Sequence, residues 1–128
     1  MRLLLDTHAF LWFVAGSKDL TPRARRSIES ARNEKLVSVA SIWEIAIKQS
    51  LGKVKLTVPL TELVDAGAVQ NGIGLLAIEA RHVVAVASLP WHHTDPFDRL
   101  LIAQAQGEGL QVVTRDKAFD DYGVRRVW

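Results

Sequence analysis

The stretch RLLLDTHAFLW, Arg2–Trp12, joins an unbroken apolar run to an aspartate and then to a second, longer apolar run. Arg2–Leu5 is short and lacks the three-and-four spacing of a helical stripe, so it reads as a strand buried on both faces. Thr7 to Ala15 then reads as a short buried helix, stopped by Gly16. A doubly buried strand that passes straight into a helix opens a parallel α/β sheet. Asp6 stands at the join, at the carboxyl end of the strand, where such sheets bind their ligands. A buried run that ends on a carboxylate has to be explained by what the rest of the chain brings to it.

The remaining sequence repeats the alternation. Thr21 and Pro22 open a helix in the N-cap and N1 positions, followed by an Arg- and Glu-rich, solvated run. Leu36–Val39 reads as a strand and Ser41 to Leu51 as a helix ended by Gly52. Pro59 to Asn71 reads as a helix, Leu75–Ile78 as a strand and Glu79 to Ser88 as a helix, with a loop over Pro90–Thr94. In DPFDRLLIAQAQGEG, Asp95 is the N-cap, Pro96 is N1 and glycines mark the far end. Gln111–Thr114 and Val124–Val127 supply two more strands.

The bulk composition fits this α/β reading. The chain has 128 residues, 48% hydrophobic and 23% charged, which suits one compact domain spanning 1–128 and excludes a disordered or fibrous chain. With no cysteine there is neither a disulfide framework nor a thiolate zinc site, and a reducing cytoplasm is the expected setting. Asp6 and His8 interrupt the N-terminal run, unlike a signal peptide, and no segment is long enough to span a bilayer. The formal charge of +2 leans weakly toward polyanions.

Three more acids are expected near Asp6. Asp116 follows the strand QVVT, Glu44 falls in the first turn of the helix after Leu36–Val39, and Asp98 lies in the first turn of the helix leading into QVVT. Asp98 reaches the same edge if the loop before it crosses back. Each acid also has a structural reading. Ser41 and Glu44 have capping-box spacing, and Glu44 is spaced to pair with Lys48. Asp116 can cap a short helix through Phe119, and Asp98 can favour its helix dipole. Asp6 can cap the helix after it, although Thr7 would do so without burying charge. Asp98 shares a face with Leu101, Ile102 and Ala105, however, which points it at the sheet.

Two carboxylates about 4 Å apart repel by roughly 4 kcal/mol at an effective dielectric of 20, a large share of a typical stability of about 5–15 kcal/mol. A bound cation removes the difficulty. Oxygen-only ligands suit a hard ion, Mg2+ or Mn2+, which keeps its waters and prefers phosphate.

The ordered set LLLDTHAFLW, SIWEIAIK, DPFDRLLIAQA and VVTRD resembles the PIN-domain ribonucleases of the VapC toxin kind, over essentially the whole chain. The resemblance implies a three-layer α/β/α domain with a five-stranded parallel sheet in order 3-2-1-4-5. It implies Asp6, Glu44, Asp98 and Asp116 as the catalytic, metal-holding acids, with Thr7, Ser41 and Thr114 as polar support and Asp95 as a possible extra acid. It further implies Mg2+- or Mn2+-dependent hydrolysis of RNA phosphodiester bonds, a homodimer, and a cognate antitoxin over the active groove. His8, Arg99, Arg115 and Lys117 are the candidates for contacting RNA phosphates. His92 and His93 are expected to point apart as loop neighbours rather than to form a metal pair. Trp12, Phe13 and Trp43 are expected in the core or a dimer interface, and Trp91 is open to either role. A non-catalytic PIN-like binding module is the competing reading, and its mark would be an incomplete acidic set. A phosphotransfer receiver would need an acidic neighbour beside Asp6, which is absent.

Overall fold

The structure, a computed structural model, describes residues 1–128. Five parallel strands form one sheet in the order β3-β2-β1-β4-β5: β1 Arg2–Leu5, β2 Glu34–Ser38, β3 Ile73–Leu76, β4 Gln111–Val113 and β5 Arg126–Val127. The expected order is therefore the observed one. β1 is central, with Leu5 paired to Val37 on one side and to Val113 on the other. Its side chains alternate between two cores. Leu3 and Leu5 pack with Phe10, Val37, Ile45 and Val113 on one face, while Leu4 packs with Leu101, Ile102, Val112 and Phe119 on the other. Burial on both faces is why β1 reads as a solid apolar run.

The helices are α1 Thr7–Ala15, α2 Pro22–Glu29, α3 Val39–Ser50, α4 Leu60–Glu62, α5 Ala80–Val86 and α6 Pro96–Glu108. Gly16, at φ +65°, closes α1 in the left-handed conformation its cap requires. The helix expected over Pro59–Asn71 changes character instead of continuing: after α4 it runs as a π-helix over Leu63–Ala68 and a 3-10 turn over Val69–Asn71. Gly67 lets this segment lie against α1, since a Cβ there would come within 3.1 Å of Val14.

Several strand boundaries differ from expectation: β4 ends at Val113 rather than Thr114, β5 begins at Arg126 rather than Val124, and β2 and β3 are shifted at both ends. β2 begins at Glu34 and ends at Ser38, whose Oγ accepts from the Ala40 amide at 3.0 Å and so starts α3 at Val39 rather than near Ser41. β3 begins at Ile73, not Leu75, because Gly74 is a strand residue: a Cβ there would sit 2.9 Å from Leu36 on β2. No helix is long and apolar enough to cross a membrane.

Candidate active site

Chain order reverses between β1 and β4, and a crevice at such a reversal is the ligand position of open parallel sheets. Asp6 follows β1 there. Its Oδ1 accepts from the Ala9 amide at 2.8 Å, so Asp6, not Thr7, caps α1, and its own amide donates to Val113 O at 3.1 Å. The hydroxyl of fully buried Thr114 hydrogen-bonds the Asp6 carboxylate, and the same oxygen accepts the Asp116 amide at 3.0 Å. One threonine thus ties the acid after β1 to the acid after β4. Burial pushes the Asp6 carboxyl above its ordinary range, against the hydrogen bonds from Thr114 and Ala9 and the charge of His8, and the Asp116 charge adds to the rise.

Relieved of capping, Thr7 turns to α3. Its Oγ1 donates to Glu44 Oε1 at 2.6 Å and lies 2.9 Å from Ser41 Oγ, while Lys48 Nζ donates to Glu44 Oε2 at 2.8 Å. The capping box that the spacing of Ser41 and Glu44 allowed as an alternative does not form, because α3 starts earlier and leaves Ser41 inside the helix and Glu44 in its second turn. Ser41 and Glu44 are both buried, so the acid is held inside the site by a hydroxyl and a lysine.

At the start of α6, Asp95 Oδ1 accepts the Asp98 amide at 2.9 Å. Asp95 is therefore the cap, and Asp98 keeps both carboxylate oxygens for other partners. Its carboxyl is pushed up to about 7, first by burial and next by the charge of Asp95; Asp6 and Glu44 add to the rise and His93 opposes it. Asp116 caps the 3-10 turn Lys117–Tyr122 through Oδ1, which accepts the Ala118 amide at 2.9 Å, and leaves Oδ2 facing inward.

His93 is the site residue that the sequence did not reveal. Its Nε2 lies 2.8 Å from Asp116 Oδ2 and 3.1 Å from Asp98 Oδ2, so both acids converge on one ring nitrogen. The Asp95 amide donates to His93 Nδ1 at 3.1 Å, which makes Nδ1 an acceptor and puts the ring proton on Nε2, facing the two acids. His92 points elsewhere, edge-on to Tyr122, so the two histidines do diverge as expected. The available signal for His93 was its place two residues before the N-cap of α6, at the point where the loop must regain the sheet edge.

Arg99 corrects an expectation. It is 3% exposed, and its guanidinium donates to the carbonyls of Val86, Leu89, Pro90 and His93. A residue so enclosed does not meet RNA. It gathers the end of α5 and the following loop, and that gathering brings the loop back over the edge. Its outer face is covered by Trp91 at 3.8 Å. Arg115 and His8 remain accessible, lining an open cleft of about 280 Å³ with Asp6, Trp12 and Asp116. Lys117 is exposed at the first position of the 3-10 turn. Trp12 and Phe13 pack against the core, whereas Trp43 is 57% exposed and is not a core residue.

The donors fit a hard divalent ion. Asp98 feels the charges of Asp6 and Glu44, Asp6 feels that of Asp116, no cysteine sulfur is present, and Asp6 and Asp98 are pushed toward the protonated form by burial and like charge. Asp98 and Asp116 converge on His93, and the charges of Asp6 and Glu44 are felt at Asp98, so these four acids could hold such an ion.

An acid-lined crevice at the switch point of a 3-2-1-4-5 parallel sheet defines an α/β protein with an acidic centre at the carboxyl edge of its sheet. The PIN-domain family model matches residues 3–124, and the chain belongs to that family. It is 32% identical over 117 residues to Ribonuclease VapC22 of Mycobacterium tuberculosis, covering 90% of this chain and 87% of the relative. Among solved structures, VapBC2 from Rickettsia felis bound to a DNA fragment from its promoter superposes with a TM-score of 0.72 at 14% identity, covering 100% of both chains. FitAcB from Neisseria gonorrhoeae superposes with a TM-score of 0.59 at 17% identity, covering 97% of this chain and 95% of the other. These two likenesses concern the fold.

Proposed function

We propose that this protein is a metal-dependent endoribonuclease that hydrolyses RNA phosphodiester bonds, and that it is the toxin of a toxin–antitoxin pair. The observation that carries the reading is the convergence of Asp98 and Asp116, whose Oδ2 atoms lie 3.1 and 2.8 Å from one His93 Nε2, with the Asp98 carboxyl pushed up to about 7 by burial and by the charges of Asp95, Asp6 and Glu44. A fold keeps such a group when a cation normally offsets it. Membership of the PIN family and the likeness to a ribonuclease support the same reading.

Asp6, Glu44, Asp98 and Asp116 would hold Mg2+ or Mn2+, which would supply Lewis acidity to activate a water and to offset negative charge on phosphorus. Thr114 links the Asp6 carboxylate to the backbone amide of Asp116. Thr7, Ser41 and Lys48 fix Glu44. His93 keeps Asp98 and Asp116 converged by directing one N–H at both. His8, Arg115 and Lys117 offset the negative field for an incoming RNA. A homodimer and a cognate antitoxin complete the reading; exposed Val39 and Trp43 on α3 offer apolar area for such contacts.

The test compares wild type with Asp6→Asn on total cellular RNA in Mg2+ or Mn2+. Cutting by the wild type alone is expected. Cutting that persists in excess chelator, or equal cutting by the variant, overturns the proposal.

A further inference from the structure

Two guanidinium groups of this chain stack on tryptophan, and they differ in what else they do. Arg99, over Trp91, gives its donors to four carbonyls. Arg115 lies 4.8 Å over the Trp12 ring, is exposed, takes part in no ion pair and donates no hydrogen bond, although its neighbour in sequence is Asp116. An arginine beside a carboxylate would ordinarily turn to it. Here the guanidinium carbon lies over the aromatic face, and no N–H is taken up by a partner within the chain.

The surroundings are built from rigid parts. Trp12 lies four residues after His8 on α1, and the two rings stack at 5.4 Å and 29°. Trp128 braces the indole at 5.9 Å, and the indole packs against the main core cluster. Asp6 caps that same helix, and Arg115 and Asp116 leave β4 together. The open cleft of about 280 Å³ is therefore lined by two acids, Asp6 and Asp116, together with the His8, Trp12 and Arg115 side chains, on segments that leave the central strands β1 and β4.

A polyanion drawn toward a cluster of carboxylates needs a cationic contact beside it, or the like charges keep it away. Resting on the RNA-cleaving reading above, we propose that His8, Trp12 and Arg115 form a subsite for the nucleotide next to the bond to be cut. Arg115 contacts that nucleotide's phosphate, and Trp12 is the positioning residue that fixes the guanidinium. Stacking pre-organises the arginine, so less side-chain freedom is lost when the phosphate arrives.

The test is binding of a fluorescein-labelled single-stranded RNA oligonucleotide, followed by anisotropy across a salt titration. It is run in an Asp98→Asn background so that the oligonucleotide stays intact. Arg115→Gln should weaken binding roughly tenfold at low salt, the effect of one charge-assisted contact. It should also make the slope of log affinity against log salt shallower by about 0.7, the value for one phosphate contact on a single strand. Trp12→Phe should retain most of the affinity; Trp12→Leu should weaken binding with the slope unchanged, since the charge remains. In the otherwise wild-type enzyme, Arg115→Gln should raise KM more than it lowers kcat. An Arg115→Gln slope equal to the parent's overturns the subsite. If that happens while the wild type still cuts RNA in Mn2+, the nuclease reading survives alone; if the wild type neither binds nor cuts, both fall.

Discussion

Asp98→Asn separates a metal ligand from a structural acid, because the two roles predict opposite changes in stability. The Asp98 carboxyl is raised from 3.8 to about 7 in the folded chain. Below pH about 3.8 the group is protonated whether the chain is folded or not, and it costs nothing. As pH rises from there to about 7 the unfolded chain releases its proton first, so folding stability falls, and the loss is complete above about 7. At 1.36 kcal/mol per pH unit, the penalty is about 2 kcal/mol near pH 5 and about 4 kcal/mol near pH 8. Asparagine has the shape of the protonated acid and no charge, and its Oδ1 can still accept from His93 Nε2.

The metal-free variant should therefore be more stable than wild type, and the margin should grow by roughly 2 kcal/mol between pH about 5 and 8. At about 4 °C per kcal/mol for a chain of this size, that is a widening of the Tm difference by about 8 °C, measurable by scanning calorimetry in chelator. Mg2+ or Mn2+ at about 100 times its Kd should raise the wild-type stability by roughly 2.7 kcal/mol, with little rise in the variant. A variant that melts below wild type near pH 8 would refute the reasoning, since it would mean that the ionised Asp98 stabilises the fold.

Three further outcomes follow from named contacts. Arg99→Met should lower stability by about 2–4 kcal/mol, because four carbonyls lose a buried donor group, and Arg99→Lys should recover only part of it; urea denaturation reads both, and a loss below about 1 kcal/mol contradicts the loop-gathering role. His93→Phe removes the N–H shared by Asp98 and Asp116, so its metal-free Tm should drop more near pH about 8 than near pH about 5, whereas His93→Gln, which keeps an N–H, should lose less; equal drops at both pH values would count against the shared donor. Ser38→Ala should cost about 1 kcal/mol by removing the cap of α3, whereas Ser41→Ala should leave helix stability nearly unchanged and weaken Mn2+ binding through Glu44; the reverse pattern would restore the capping box.

The legible part of this fold was the part fixed by periodicity and local chemistry. Arg2–Leu5 carries no alternation because both faces are covered, and Thr21-Pro22, Asp95-Pro96 and Gly16 write helix ends directly into the chain. The acids were legible because strand ends and helix starts share one edge in a parallel sheet. The misreadings concern side chains whose roles depend on distant partners. Thr7 and Asp6 are both good N-caps, and only the presence of Glu44 across from Thr7 decides that the aspartate takes the backbone and the hydroxyl takes the acid. Ser38 and Ser41 present the same ambiguity, settled by where β2 loses its pairing to β3.

Arg99 and His93 are the deeper cases. Adjacent to an acid in sequence, Arg99 resembles a phosphate contact, yet the extra helix α5 obliges the chain to return over the sheet edge before α6 begins. A return without secondary structure leaves carbonyls unsatisfied, and one buried guanidinium with several donors meets that need better than separate side chains would. Once Arg99 holds the carbonyls of Pro90 and His93, the loop is fixed, and His93 can be aimed at Asp98 and Asp116. The chemistry at the sheet edge thus depends on a residue that never faces it, and no spacing rule within one segment could have shown that dependence.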